Sequence, residues 1–206
     1  MKLKNILEKI IKPAAPGPLP FFNEFYVVKA IEIIGDSPHI GRIKLSKELK
    51  LGESSSRTLI QHLKKFGIIS ISKKGCKLTN QGLKIYRNLK EKIVKKIEVP
   101  KSSLTVGEFN FGVLIKNASS YVQSGIEQRD AAVKVGAKGV TTLIFKNGKL
   151  FVPPFEECKT NEWLKDLKEL YELFKPTEND VILICGADDI EIAEKGAIMA
   201  ALTLIE

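Results

Sequence analysis

The residue types best suited to chemistry in this sequence lie on one side of a predicted helix, within GESSSRTLIQHLKKFGIIS at residues 52–70. At about 100° per residue, the apolar side chains share one face and seven polar side chains share the opposite face. These seven are Ser54, Arg57, Thr58, Gln61, His62, Lys64 and Lys65. None of them is acidic, whereas an ordinary solvated helix mixes both signs of charge. Cations and short hydrogen-bonding groups suit phosphates and base edges, so this polar face predicts contact with a nucleic acid.

A basic hairpin is predicted directly after this helix. The sequence GIISISKKGCKLT, residues 67–79, reads as two short β segments around a KKGC turn. Three lysines lie at the tip of the hairpin: Lys73, Lys74 and Lys77. Positive side chains on both the helix and the hairpin favour a polyanionic partner.

Further helices are predicted on either side of these two features. FFNEFYVVKAIEIIG has apolar residues at helical spacing and ends at Gly35, and LSKEL is long enough for two helical turns. After the hairpin, Thr79 is placed to cap a helix over residues 80–97. This helix carries an apolar stripe formed by Tyr86, Leu89, Ile93 and Ile97. The stripe either pairs across a two-fold axis or packs on its own domain.

The order of these elements resembles that of the winged helix-turn-helix family of transcriptional regulators, over about residues 22–96. LSKELKLGESSSRTLIQHLKKFGII carries the likeness, with a short helix, a turn containing glycine and a recognition helix that begins with polar residues. The resemblance implies that the second helix enters the major groove of double-stranded DNA. By this resemblance the base readers are Ser54, Ser55, Arg57, Thr58, Gln61 and His62. The implied phosphate contacts are Lys64, Lys65, Lys73, Lys74 and Lys77.

The charge distribution supports this interpretation and leaves alternatives open. Of the net charge of +9, residues 1–96 carry +14 and residues 97–206 carry −5. A polyanion partner for the first half explains this asymmetry, and so does the lysine-rich surface of a heat-adapted protein. A winged helix that binds RNA or protein is a further alternative. His62 is equally well explained as a solvated surface residue, and Ser54 as a helix cap.

The second half of the chain predicts a separate domain after a linker over residues 96–103. Its pattern gives the order β, α, β, β, α, β, α, with an Asn147-Gly148 turn as the strongest hairpin signal. We therefore predict a two-domain α+β protein. Residues 1–96 form the winged-helix domain with an N-terminal helix and a proline-rich lead, and residues 97–206 form an α/β layer with a mixed sheet.

Two polar clusters in the second half are candidate ligand-binding residues. One consists of Gln128, Arg129 and Asp130, early in a predicted helix. The other consists of Asp188 and Asp189, after an apolar strand, where open α/β sheets gather ligands. The alternatives are an N-cap role for one of the two aspartates and an ordinary surface pair for Arg129 and Asp130. A small enzyme domain that uses these carboxylates and Arg129 is a weaker hypothesis, because the second half lacks a histidine or a recognisable nucleophile motif.

The segment SGIEQRDAAVKVGAKGVTTLIFKNGKLFVP is similar to an uncharacterised archaeal family that joins a winged helix to a small α/β domain of unknown function. We therefore expect a homodimeric, DNA-binding regulator whose second domain senses a small-molecule effector or mediates dimerisation. No cofactor, catalytic residue or metal site is expected, because phosphate-binding glycine motifs and paired cysteines are missing from the sequence. Without a signal peptide or an apolar segment of membrane-spanning length, a cytoplasmic location is expected.

Overall fold

The computed structural model describes residues 3–12, 21–153 and 161–205, and divides into two compact units that meet between Lys90 and Glu91. This division lies slightly before the predicted boundary at residue 96. The proline-rich lead, residues 13–20, and Cys158 lie outside the described residues.

The first unit has the predicted order of helices and hairpin. Its elements are α1 (Leu3–Ile11), α2 (Glu24–Gly35), α3 (Arg42–Leu49), α4 (Glu53–Lys65), β1 (Ile69–Ser72), β2 (Gly75–Leu78) and α5 (Asn80–Lys92). Each of the four helices α2 to α5 buries an apolar residue completely, namely Ile31, Leu45, Leu59 and Leu89. Thr79 caps α5 as predicted, because its Oγ1 accepts a hydrogen bond of 3.1 Å from the backbone N–H of Gly82.

The second unit is a five-stranded sheet with helices on both faces. Its elements are β3 (Ile93–Val99), β4 (Phe109–Ile115), a 3₁₀ turn (Ser119–Tyr121), α6 (Ile126–Val133), β5 (Gly139–Lys146), β6 (Lys149–Phe151), α7 (Asn161–Phe174), β7 (Val181–Ala187) and α8 (Ile190–Leu202). The strand order is β3-β4-β7-β5-β6. Ile182 and Ile184 of β7 pack in one cluster with α7, whereas Cys185 faces Gly196 of α8.

The α+β class is confirmed, but the predicted mixed sheet is wrong, because every described pair of neighbouring strands is antiparallel. The rule that places ligands beyond the carboxyl ends of strands applies to parallel sheets. It therefore gives no support to a ligand site at Asp188 and Asp189 in this antiparallel sheet. The Asn147-Gly148 hairpin is confirmed. Both residues have positive φ angles, 51° and 75°, and Lys146 pairs with Lys149 across the turn.

The predicted helix over residues 80–97 is too long, because α5 ends at Lys92 and β3 begins at Ile93. Ile93 and Ile97 therefore belong to an edge strand of the sheet. The helical stripe, predicted either to pair across a two-fold axis or to pack on its own domain, does not exist in that form. Tyr86 instead lies over Gly35, and its hydroxyl donates a 2.5 Å hydrogen bond to the Asp36 carboxylate.

Candidate nucleic-acid interface

The turn between α3 and α4 is fixed by buried serines. The hydroxyls of Ser46 and Ser56 both donate to the backbone carbonyl of Leu51, at 2.7 and 3.1 Å. Lys50, which ends α3, has a left-handed φ of 51°, which gives the sharp change of direction that the turn needs. The start of α4 is therefore held to α3 through hydrogen bonds that are removed from solvent.

The exposed side of α4 carries most of the predicted contact residues. Ser54, Arg57, Thr58, Gln61, Lys64 and Lys65 are exposed and Ser55 is half-buried. Ser56, in contrast, is buried together with the apolar face of the helix. The polar face of the sequence is therefore a solvent-facing surface over most of its length.

The hairpin and α4 share one groove, which connects the two sets of predicted cations. Gln61 and Lys64 of α4 line this groove together with Lys73 and Lys74 of the hairpin turn. The groove has a volume of about 460 Å³ and is open to solvent. Polar side chains from α4 and from the hairpin turn thus lie on a single surface of the first unit.

Gly75 lets the hairpin pack closely against the segment that precedes α3. Its φ is +121°, and a Cβ atom at this position would lie 2.5 Å from the backbone oxygen of Ile40. The neighbouring Cys76 exchanges two backbone hydrogen bonds with Ile40, of 2.8 and 3.0 Å. A residue with a side chain cannot make this approach without displacing the hairpin.

The lysines of the groove have no ion-pair partner in the part of the chain that the structure describes. Among the described residues, no carboxylate lies within ion-pairing distance of Lys64, Lys73 or Lys74. Unpaired ammonium groups around an open groove attract an anionic partner, and a polyanion of regularly spaced phosphates matches several of them at once.

His62 is the clearest error among the predicted base readers. Only 6% of its surface is exposed, because α1 covers this side of α4. Its Nδ1–H donates a 2.6 Å hydrogen bond to the backbone oxygen of Ile10, and its ring meets that of Phe22 edge to face at 5.6 Å. Its side chain therefore cannot reach a base, and it joins α1 to α4 instead.

Two other features of the polar face differ from the prediction. Ile71 lines the groove, and Lys77 pairs with the preceding residue, Ser70. Because neighbouring residues of a strand face opposite ways, Lys77 points to the other face of the hairpin and lies outside the groove. Glu53 is exposed at the start of α4, and lines a second cavity with Arg57, so the face has an acidic neighbour at its edge.

Arg42 is a candidate contact residue that the sequence reasoning missed. It begins α3 and lines the α4-hairpin groove as well as the cavity that contains Arg57. Arg42 lies three positions before the predicted LSKEL helix, which begins at Leu45, and the helical spacing of α4 gives no information about a residue outside α4.

The five predicted ligand-binding residues of the second unit do not form one site. Gln128 is buried, and its Nε2 donates to the hydroxyl of Thr203 at 2.6 Å. Asp189 caps α8 by accepting from the backbone N–H of Glu191 at 2.8 Å, and Asp188 forms an ion pair with Lys138. The prediction that Gln128 binds a ligand is therefore wrong, because its side chain is buried and bonded within the protein. Asp188 and Asp189 each have a partner within the protein, so the structure gives no support to a ligand-binding role for them.

The other two residues of this set, Arg129 and Asp130, are both exposed on α6. Arg129 lines a separate cavity beside β5, and Asp130 does not. The described part of the chain contains no group of three or more His, Cys, Asp or Glu side chains that could hold a metal ion.

A turn fixed between two helices, an exposed second helix and a basic hairpin define the first unit as a winged helix-turn-helix DNA-binding domain. In agreement, residues 23–93 match the family model of the CggR N-terminal DNA binding domain. Residues 106–204 match the model of DUF4443, a domain of unknown function. The chain thus joins a DNA-binding domain to an uncharacterised domain, as the sequence predicted.

One solved structure extends the likeness over both units. It is a hypothetical protein from Pyrococcus horikoshii OT3, with 27% sequence identity and a TM-score of 0.65. The match covers 89% of this chain and 92% of that chain. No curated protein matches the sequence. In the described part of the chain, no helix is long and apolar enough to cross a membrane.

Proposed function

We propose that the protein is a sequence-specific transcriptional regulator that binds double-stranded DNA through α4 and the β1–β2 hairpin. The observation that carries this proposal is the shared groove, where Gln61 and Lys64 of the helix meet Lys73 and Lys74 of the hairpin. An α-helix fits the major groove of B-DNA, and a neighbouring hairpin then meets the adjacent backbone.

The exposed residues of α4 divide by chemistry into two roles. Ser54, Ser55, Arg57, Thr58 and Gln61 are the proposed base readers, because arginine recognises guanine and glutamine recognises adenine through paired hydrogen bonds. Lys64, Lys65, Lys73 and Lys74 are the proposed phosphate contacts, and Arg42 joins them. Lys77, on the other face of the hairpin, is proposed to contribute less.

The second unit is proposed to act as an effector-binding or dimerisation domain of a cytoplasmic homodimer. A dimer doubles the number of phosphate contacts and reads two half-sites, so its preferred sequence is a palindrome. If about six phosphates are neutralised, the logarithm of the binding constant falls against the logarithm of salt concentration with a slope of about −5.

The test begins with selection of bound duplexes from a random library, followed by fluorescence anisotropy with the selected duplex over a range of salt concentrations. Replacing Lys73 and Lys74 together by glutamine should reduce the steepness of the salt dependence by about two, since each phosphate contact contributes about one. Lys84→Gln is the matched control, because Lys84 is exposed on α5 and does not line the groove.

Two results would overturn the proposal. One is the failure of the library to yield any enriched duplex, together with no binding to duplex DNA at low salt. The other is a preference for structured or single-stranded RNA over the selected duplex in competition, which would favour an RNA-binding winged helix.

A further inference from the structure

The second unit contains a cavity that is distinct from the groove of the DNA-binding domain. It has a volume of about 240 Å³ and opens beside β5 and the start of α6. Its polar lining includes Ser124, Arg129 and Thr142, and its apolar lining includes Val140, Val152 and Trp163. A cationic group, a hydroxyl and an aromatic wall thus surround one small space.

Thr142 is the most informative residue of this cavity. Its side chain is 4% exposed, and its Oγ1 has no hydrogen-bond partner among the described residues. Burying a hydroxyl without a hydrogen-bond partner is unfavourable by about 1–3 kcal/mol. An unpaired hydroxyl in the wall of a cavity therefore indicates that a bound molecule supplies the hydrogen bond.

The start of α6 adds hydrogen-bond donors to the same cavity. Gly125 precedes this helix with a φ of +79° and has no side chain to cap it. The hydroxyl of Ser124 accepts a 3.4 Å hydrogen bond from the Ile126 N–H and leaves the next backbone N–H groups of the helix to a ligand. A Cβ atom on Gly125 would lie 3.2 Å from Thr142 Oγ1, so glycine keeps the space above the hydroxyl open. The first backbone N–H groups of a helix lack partners within the helix and favour an anion.

The remaining walls fit an apolar group of limited size. Val140, Val152 and Trp163 present aliphatic and aromatic surface, and Leu104 adds to it. At roughly 30 Å³ per water molecule, the cavity holds the equivalent of about eight waters, which suits a ligand smaller than a nucleotide.

We infer that this cavity binds a small organic anion, with a carboxylate or phosphate held by Arg129, the α6 N-terminus and the Thr142 hydroxyl. The apolar body of the ligand lies against Trp163. Arginine pairs with either anion through two parallel hydrogen bonds, and the threonine hydroxyl donates a third. That this ligand acts as an effector rests on the proposed function, whereas its binding does not.

Trp163 provides a direct readout, because it is the sole tryptophan of the chain and lines the cavity. We would titrate the full-length protein, without DNA, with benzoate and with phenyl phosphate, and record tryptophan fluorescence. Benzyl alcohol, which has a similar ring and no charge, is the comparison. A saturable change is expected with at least one anion and not with the alcohol.

Two variants separate the proposed site from a merely structural one. Arg129→Gln should weaken anion binding about tenfold. Thr142→Val should weaken it about threefold while leaving the resistance to urea equal or higher, because the orphaned hydroxyl is gone. Lys134→Gln, which removes a positive charge from the exposed end of α6 outside the cavity, should bind as the unaltered protein does.

The proposal is overturned if neither anion gives a saturable change, or if Arg129→Gln binds as tightly as the unaltered protein. These titrations contain no DNA, so their failure would leave the DNA-binding proposal standing. Conversely, if the protein binds the anion but selects no duplex, the proposal of DNA binding is contradicted and the proposal of an anion site stands.

Discussion

Replacement of His62 separates two explanations of the polar face of α4. If His62 reads a base, His62→Ala weakens DNA binding and leaves stability unchanged. The structure predicts the reverse. The variant loses a 2.6 Å hydrogen bond to the Ile10 carbonyl and an edge-to-face contact with Phe22, both within the first unit.

The expected loss of stability follows from these two contacts. A hydrogen bond is worth about 0.5–1.5 kcal/mol, an aromatic pair about the same, and the truncated ring also leaves a cavity. The sum is about 2–4 kcal/mol for the first unit. For a unit of this size, each kcal/mol lowers the melting temperature by about 4–8 °C. His62→Asn retains a donor near the Nδ1 position but loses the ring, so its stability should fall between those of the two other proteins.

Two probes distinguish unfolding of the two units. Trp163 reports on the second unit alone, because it is the sole tryptophan, whereas far-ultraviolet circular dichroism reports on both. In urea, His62→Ala should shift part of the circular dichroism change to lower urea concentration and leave the fluorescence transition unchanged. At temperatures well below unfolding, DNA affinity should change less than about twofold. An unchanged denaturation curve combined with a tenfold loss of affinity would refute this reasoning and return His62 to the DNA-contacting surface.

Three further substitutions have expected outcomes. Gly75→Ala should destabilise the first unit by about 1–3 kcal/mol in urea and weaken DNA binding, because its Cβ would clash with the Ile40 carbonyl; Gly148→Ala, at a positive φ in open space, is the control and should leave DNA binding unchanged. The hydrogen bond to Asp36 raises the pKa of the Tyr86 phenol to about 12. The folded state therefore holds the phenol proton more tightly than the unfolded state does, and the stability that this hydrogen bond contributes disappears as pH rises from about 10 to 12. In Asp36→Asn, an ultraviolet titration should show one phenol ionising at lower pH than before, and an unchanged titration would contradict the assignment. Asp189→Ala should destabilise the second unit by about 0.5–2 kcal/mol through loss of the α8 cap, with Asp189→Asn close to the unaltered protein; equal stability of all three in urea would argue against the cap.

The first unit was predictable because its signals are local. Capping by Thr79, the KKGC turn and the apolar spacing of α4 each depend on residues within a few positions of one another. The prediction for His62 was wrong because its environment depends on a residue that is distant in sequence. The residue that covers it, Ile10, lies 52 positions away, and helical spacing gives the direction of a side chain without saying what lies there.

The second unit shows the same limit in its strands. Residues 80–97 keep an apolar spacing that fits a helix, yet the β-branched segment IVKKIEV pairs with β4 instead. Pairing between distant strands also decides whether a sheet is mixed or antiparallel, and no local pattern records it. The Asn147-Gly148 turn was found because its positive φ angles require particular residues at adjacent positions.

The three successive serines of α4 show how position determines the role of residues that look alike in sequence. Ser54 is exposed and Ser55 is half-buried, so both are available to a partner. Ser56 is buried, and with Ser46 it fixes the turn through the Leu51 carbonyl. The hydroxyl that orients the helix is therefore inaccessible to DNA, and the hydroxyls that are accessible have no part in orienting it. Since DNA readout requires a rigid helix as well as free polar groups, this separation allows the exposed residues to vary with the target sequence while the turn stays unchanged.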